Sequence, residues 1–285
     1  MKFRNALIGL AAPAVLAGIV SCGGSSDSPA PAIVVRSASL SGAQETPPTG
    51  ATGTGRGAVV VNPTTKEITG GVTFTGLTTI PPTAQHIHQA PAGNPAGPGS
   101  PIITLTLSPN NSSATIPAGT ILTDAQYAAL VAGELYFNVH TTANGGGEIR
   151  GQINGTTGVT AGLATLNGAQ EVPTNASTAT GRGTIVFDST TRAVLIAYVT
   201  HNVANANNAH VHTGVPGVSG LANVVNPMTP GTNVYTAPQG ATLTAQNVLD
   251  VNAGYTYFNV HSTNNSCPPA ATCGAGEIRG QIAVQ

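Results

Sequence analysis

The chain has no tryptophan and few charged residues. Its 285 residues include nine Lys and Arg and ten Asp and Glu, so charged side chains make up 7% and the formal net charge is −1. This composition excludes the strongly basic surface that nucleic-acid binding needs. Carboxylates are too sparse to favour the paired acids of glycoside hydrolases, and no Gly-x-Ser-x-Gly elbow or plausible serine or cysteine triad occurs. We therefore predict no catalytic residues.

Cysteine is also scarce, with three in the chain. The N-terminal segment before Cys22 contains two basic residues and then an apolar run over 6–20, as in a secretory signal peptide. That run is too short for a permanent membrane span. The tetrad IVSC fits the lipobox of bacterial lipoproteins, so we expect residues 1–21 to be a signal peptide and Cys22 to be lipidated. The alternative is cleavage elsewhere, which leaves Cys22 as a free thiol.

Export sets the expectations for the rest of the chain. Residues 22–32 are rich in Gly, Ser and Pro, and we predict a flexible tether there. The segment CPPAATC contains Cys267 and Cys273, and in an oxidising compartment a disulfide between them is favoured over a metal-binding pair. The expected location is the cell envelope, at the outer membrane or cell surface, with the lipid anchor in the membrane.

The sequence after the tether is a tandem duplication. LSGAQETPPTGATGTGRGAVVV at 40–61 returns as LNGAQEVPTNASTATGRGTIVF at 166–187, and GEIRGQI occurs at 147–153 and again at 276–282. The spacing of the copies is that of whole domains rather than of solenoid repeats. We predict one domain over 33–154 and a second over 159–285.

Both copies consist of short β-branched runs separated by Gly, Pro, Asn and Thr clusters, which is typical of an antiparallel sandwich or barrel. In the first copy the predicted strands are 33–40, 57–61, 67–75, 102–107, 134–140 and 148–153. One helix is predicted after Thr123, which precedes an Ala-rich turn as an N-cap. The expected class is all-β, with two tandem antiparallel Greek-key-like β-sandwich domains and one short helix in each.

Four motifs recur in the same order in each copy: GAQE(T/V)P, H-(I/V)-H, YFNVH and GEIRGQI. In this order and at this spacing they resemble the CHRD domain, a module of chordin and of many bacterial secreted proteins. The resemblance covers nearly the whole chain after the tether. It implies a β-sandwich that is distantly similar to copper/zinc superoxide dismutase, and it implies no assigned biochemical role.

Six of the seven histidines fall at matching positions in the two copies. Because side chains alternate across a strand, His86 and His88 share one face, and His140 lies on the polar face of its own strand. The second copy repeats the set with His210, His212 and His261. The same polar face is expected to hold a glutamate and an arginine in each copy, namely Glu148 and Arg150, and Glu277 and Arg279.

This face has two interpretations. Three imidazoles on neighbouring strands suit copper or zinc, with Glu148 and Glu277 as ligands or as groups that fix a histidine tautomer. Arg150 and Arg279 would then pair with those glutamates or face an anionic ligand. Alternatively, the histidines form a structural hydrogen-bonding cluster on the solvent face of the sheet, and each Glu–Arg pair is a surface ion pair.

Together these features favour a membrane-tethered pair of domains that serves as a binding or scaffolding module. Its partner would be an envelope or extracellular protein or ligand, and copper or zinc are the candidate cofactors. The alternative is a copper-dependent redox enzyme similar to superoxide dismutase. That resemblance is incomplete, because each copy lacks the fourth copper histidine and the zinc ligands of that family. The seventh histidine, His201, is interpreted as incidental.

Overall fold

The computed structural model describes residues 33–263 and 276–285. The predicted signal peptide, tether, lipidated Cys22 and disulfide between Cys267 and Cys273 all lie outside these residues. Neither α-helix in the described part of the chain is long and apolar enough to cross a membrane. Strands dominate the described elements, which confirms the all-β class.

A single antiparallel sheet forms most of the first copy. Its elements are β1 (Val34–Ser41), β2 (Thr54–Val61), β3 (Ile68–Thr75), β4 (Ala84–Gln89), β5 (Ser100–Thr104), β6 (Thr106–Leu107), β7 (Ser113–Thr115), α1 (Asp124–Val131), β8 (Leu135–His140) and β9 (Ile149–Gln152). The order across the sheet is β5-β4-β8-β9-β1-β2-β3-β7-β6. The edge strands β5 and β6 are separated in the chain by Leu105 alone, so the sheet must curl until its two edges meet.

The connections follow a Greek-key pattern. β1, β2 and β3 form a continuous meander, and the chain then crosses to the other side of β1, where β4, β8 and β9 lie. This crossover sets the histidine-bearing strands β4 and β8 side by side, with His86 opposite Asn138 and His88 opposite Tyr136.

Apolar and polar side chains alternate along the strands, and the apolar ones form the core. Leu135, Phe137 and Val139 of β8 are fully buried in the apolar core, and Ile87 of β4 joins them from between two histidines. The predicted apolar face of these strands is therefore confirmed. The intervening polar side chains lie on the opposite face of the sheet.

The second copy repeats this architecture. Its elements are β10 (Val159–Asn167), β11 (Thr180–Asp188), β12 (Val194–His201), β13 (Ala206–Thr213), β14 (Thr229–Gly231), β15 (Val234–Thr236), α2 (Ala245–Asn252), β16 (Thr256–Ser262), β17 (Ile278–Gln281) and β18 (Ala283–Val284). The main path across the sheet is β13-β16-β17-β10-β11-β12-β15-β14, and β18 pairs with β10.

Each copy contains one short α-helix, as predicted. The Thr123 hydroxyl accepts a hydrogen bond from the Gln126 backbone N–H, and the Gln126 side chain accepts one from the Thr123 N–H. Thr244 and Asn247 form the same capping box before α2. These reciprocal bonds satisfy two backbone donors at each helix start.

The predicted strands of the first copy need correction, because they omit β4 and β7 and begin β2 at residue 57 instead of Thr54. The sequence predicts one strand over 102–107, but Leu105 divides it, because the chain passes there from one sheet edge to the other. β7 is absent from the predicted strands because its three residues, Ser-Ala-Thr, carry no β-branched run. It forms by pairing with β3.

The two copies pack against each other through the outer faces of their sheets. The buried residues of this interface are Ala58, Val60, Ala161, Val186, Leu195, Ile196, Tyr198 and Val234. The Tyr198 hydroxyl accepts a hydrogen bond from the Gly70 backbone N–H at 3.0 Å. Both copies consequently belong to one compact unit.

Candidate functional site

The structure brings the three predicted histidines of the first copy together. His86 and His88 project from β4, and His140 ends the adjacent strand β8. One ring nitrogen from each histidine lies within 4.8 Å of the other two. His88 and His140 are buried, whereas His86 is partly exposed and forms the open side of the cluster.

Backbone carbonyls fix the orientation of two of these rings. His88 Nδ1 lies 2.9 Å from Gly99 O, and His140 Nδ1 lies 3.1 Å from Gly145 O. A carbonyl oxygen can only accept, so both Nδ1 atoms carry the proton and both Nε2 atoms present a lone pair in the neutral ring. His86 Nδ1 lies 3.3 Å from His140 Nε2 and donates to it.

One hydrogen-bond acceptor in the cluster has no donor among the described residues. His88 Nε2 is buried and has no hydrogen-bond partner within the described residues. Buried polar atoms are normally satisfied, so an orphaned nitrogen beside two other imidazoles calls for an explanation. A hydrogen-bond donor or a cation at Nε2 would supply the missing partner.

The second copy has a similar arrangement, except that His261 as well as His210 is partly exposed. The ring nitrogens of His210, His212 and His261 also lie within 4.8 Å of one another. His210 Nδ1 is 3.2 Å from His261 Nε2, and His212 Nδ1 is 3.1 Å from Gly220 O. His212 Nε2 is again buried without a hydrogen-bond partner in the part of the chain that the structure describes.

Burial keeps these imidazoles neutral. Desolvation lowers the pKa of His88, His212 and His261 to about 4 in each case, and it lowers the pKa of the other three histidines as well. Neutral imidazole is the form that binds metal ions. The cluster therefore offers lone pairs rather than positive charges at neutral pH.

An arginine–tyrosine stack lies beside the cluster. The Tyr136 ring stacks on His88 with a centroid separation of 5.1 Å, and Arg150 Cζ lies 3.5 Å from the centroid of the same tyrosine ring. Arg150 also donates to Pro95 O and Gly97 O, at 2.7 and 3.1 Å. The loop that supplies these carbonyls also supplies Gly99 O to His88. Tyr257, His212 and Arg279 form the equivalent stack in the second copy.

Two glutamates not predicted as site residues lie close to this stack. Glu45, from the GAQE motif, is 6% exposed, and burial raises its pKa to about 7 despite the nearby charge of Arg150. The Asn138 amide donates to Glu45 Oε2 at 3.5 Å, while Glu45 Oε1 and Asn138 Oδ1 have no partner among the described residues. Glu171 and Asn259 repeat this pair, and burial again raises the glutamate pKa to about 7.

The expected roles of Glu148 and Glu277 need correction. Glu148 accepts hydrogen bonds from the Thr78 N–H, the Thr78 hydroxyl and the Thr141 hydroxyl, at 2.6, 2.9 and 2.6 Å. Burial alone would raise its pKa, but these bonds outweigh burial and lower it. Glu277 accepts from Ser177 and Ser262 in the same way. Glycine carbonyls, not these carboxylates, set the tautomers of His88, His140 and His212.

The expected Glu–Arg pairing is also wrong. Among the described residues the ion pairs are Lys66–Asp124 and Arg182–Glu67, so neither Arg150 nor Arg279 pairs with its neighbouring glutamate. Arg279 donates instead to Val215 O and Val218 O, each at 3.0 Å. Each arginine therefore fixes a loop that covers the polar face.

The polar face is not the solvent side of the sheet. Asn138, His88, Arg150 and Glu45 are each less than a tenth exposed. Sequence periodicity identifies which side chains share the face, but not which loops bury it. The GAQE repeat was the available signal for Glu45 and Glu171. His201 lies outside both clusters, with its ring 5.5 Å from that of Tyr235.

A family model described as the CHRD domain matches residues 36–153 and again residues 163–282. Searches of curated proteins and of solved structures find no match. The two matched segments each contain one complete histidine cluster with its arginine and buried glutamate.

Proposed function

We propose that this chain, which belongs to the CHRD domain family and contains two tandem copies of the domain, is a cell-envelope binding module that holds one metal ion in each copy. His86, His88 and His140 would bind the first ion, and His210, His212 and His261 the second. Three neutral imidazoles form a ligand set that copper and zinc accept.

One observation carries this proposal. In each copy a buried imidazole nitrogen, His88 Nε2 or His212 Nε2, has no partner among the described residues and lies in a cluster with two more imidazoles. An unpaired buried acceptor costs about 1–3 kcal/mol. Both ring nitrogens of His201 are also buried without partners among the described residues, but only His88 and His212 have two further imidazoles within 4.8 Å. A metal ion would satisfy all three rings at once.

Metal binding would require a small adjustment. Bonds of roughly 2.0–2.1 Å in a tetrahedral site place ligand nitrogens about 3.3 Å apart, and the largest separation here is within 4.8 Å. His86 is partly exposed in the first cluster, and His210 and His261 are partly exposed in the second, so these rings have room to move. The contacts of His86 Nδ1 with His140 Nε2 and of His210 Nδ1 with His261 Nε2 would be broken.

The elemental stoichiometry of purified protein tests the metal sites. After incubation with copper or zinc salts and desalting, the wild-type chain is expected to retain two equivalents, and His88→Ala with His212→Ala close to none. His201→Ala is the matched control, since His201 is equally buried but lies outside both clusters. Retention of less than half an equivalent per domain by the wild type, or full retention by the double variant, would contradict the proposal.

The envelope location rests on the N-terminal sequence, where IVSC follows the apolar run. Lipidation of Cys22 would hold the two domains close to a membrane surface. Cells grown with a radiolabelled fatty acid should incorporate label into the wild-type chain and not into Cys22→Ala. Equal labelling of the two chains would rule out Cys22 as the anchor.

A further inference from the structure

One loop of the second copy exposes a group of large apolar side chains. The loop, over 214–221, follows β13 and carries Val215, Val218 and Leu221, which are 38%, 51% and 75% exposed. Tyr255 is 48% exposed and lies beside the loop, because its carbonyl accepts a hydrogen bond from the Gly214 N–H at 2.7 Å. These four apolar side chains are called the loop patch below. Apolar side chains exposed as a group mark a contact surface, whereas isolated ones need no explanation.

The backbone of this loop directs its polar groups into the domain. Arg279 donates to Val215 O and Val218 O, each at 3.0 Å. The Thr213 N–H donates to Leu221 O at 2.9 Å. An irregular loop can enter an apolar environment only if its backbone groups keep partners of this kind. The loop patch can therefore leave water without unpairing the carbonyls that carry its side chains.

The sequence around the loop contains no charged side chain. Between Arg192 and Asp250 the chain has no Lys, Arg, Asp or Glu. A loop that recognises anionic lipid headgroups would be expected to carry Lys or Arg, so the surface that fits this patch is uncharged. The corresponding loop of the first copy, over 90–99, consists of Ala, Pro, Gly and Asn and has no large apolar side chain. The patch is thus a feature of the second copy alone.

The predicted lipid anchor would place a membrane within reach of this patch. The tether over 22–32 spans at most about 40 Å when fully extended, and a compact unit of this size has a radius of gyration of about 18 Å. Either copy could therefore touch the bilayer, and an exposed apolar patch would decide which one does. Tyrosine favours the level of the lipid headgroups, and the apolar side chains of interfacial segments bury just below it.

We infer that the loop patch inserts shallowly into a lipid bilayer and orients the tethered module with its second copy against the membrane. This inference rests on the proposed envelope location. The contact is made with the uncharged, apolar part of the bilayer surface. Gly220 belongs to the same loop, and its carbonyl lies 3.1 Å from His212 Nδ1. The second histidine cluster would consequently lie close to the membrane.

A single tryptophan can report insertion, because the chain has none. Leu221→Trp is prepared in the full chain with its anchor and placed on phosphatidylcholine vesicles. Its emission should shift to shorter wavelength and should be quenched by phosphatidylcholine with brominated acyl chains. Ile121→Trp is the matched control, at a 66% exposed apolar side chain of the first copy, and should show neither change. Equal responses at the two positions would overturn the inference.

An anchor-free form separates the inference from the proposed lipidation. The chain from residue 22 with Cys22→Ala lacks the signal peptide and the lipid, and it contains the whole compact unit Pro31–Gln285. The Leu221→Trp response should persist in this form when the vesicles are in large excess. A response there supports insertion even if Cys22 carries no lipid, whereas no response in either form would overturn insertion and leave the anchor to the fatty-acid labelling.

A charge placed in the patch tests the cause. Added to Leu221→Trp in the anchor-free form, Val218→Asp should lower the affinity for these vesicles at least about tenfold, since an aspartate replaces an apolar contact. Ile80→Asp, at an exposed apolar side chain of the first copy, should change it less than about twofold. Equal affinities in the two variants would overturn the inference. Binding that needs anionic vesicles and is lost in salt would do the same, because it would assign the contact to charge.

Discussion

At the scale of single residues, Glu45 and Glu171 connect the stability of the fold to pH. Their carboxyls ionise near 4.5 in an ordinary environment, and burial raises the pKa to about 7. Between these values the folded chain holds protons that the unfolded chain has lost. Their contribution to stability is therefore complete below about pH 4.5, falls as pH rises to about 7, and is constant above that. The histidines act in the opposite direction, because their pKa values are lowered.

The double substitution Glu45→Gln with Glu171→Gln isolates this effect. Glutamine resembles the protonated acid but cannot ionise, so the variant should gain stability relative to the wild type as pH rises from about 5 to about 8. The expected gain is about 1–3 kcal/mol per carboxyl in the free energy of unfolding, measured by urea denaturation at each pH. Asp124→Asn, on an exposed carboxylate, is the control. A stability difference that is the same at every pH would show that these glutamates are ionised in the fold.

Residue-level chemistry was only partly predictable from the sequence. The two-residue period of a strand places His86 and His88 on one face, and the repeated YFNVH motif points to His140 as the third member. The sequence does not indicate that the carbonyls of Gly99 and Gly145 orient the rings, because every residue has a backbone carbonyl and the residue type does not show which ones accept a hydrogen bond. Glu148 was assigned to the histidine face because it alternates with Arg150 along one strand, but Thr78 and Thr141 hold its carboxylate, and Glu45 lies near Arg150 instead.

At the scale of elements, strands with a clear β-branched pattern were predictable and short polar strands were not. β1, β3 and β8 agree with prediction to within one residue at each end. β2 begins at Thr54, three residues before the predicted start of that strand at residue 57. A Cβ atom at Gly57 would lie 2.7 Å from the Phe137 ring, so the glycine permits close packing inside a strand. Periodicity alone does not distinguish that use of glycine from a turn.

At the scale of the whole molecule, the two copies pack together into one compact unit. The interface is not symmetric. Tyr198 of the second copy packs against the first copy at the Gly70–Gly71 pair. Gly70 lacks a side chain, and a Cβ there would lie 2.1 Å from the Ala58 carbonyl oxygen. The two histidine clusters are consequently held in one fixed relation to each other. The sequence predicted the two copies, but nothing in their repeat pattern indicated this contact.

Tyr198 provides the test of that coupling. The wild-type chain should unfold in one cooperative transition, because neither copy can open without exposing the shared apolar interface. Tyr198→Ala should lower the stability by about 3 kcal/mol and divide the transition into two steps in calorimetry. Tyr198→Phe should cost about 1–2 kcal/mol, since it leaves the buried Gly70 N–H without its acceptor.

Val199→Ala is the matched control for these variants. Val199 is the next residue on β12 and points into the second copy's own core, so its truncation should lower stability without separating the two copies. Two resolved transitions in the wild type, or a single transition in Tyr198→Ala, would show that the interface does not couple the domains. The wild type and Val199→Ala should each show one transition, and Tyr198→Ala should show two. That result would show that the Tyr198 side chain, which packs against Gly70, couples the two copies.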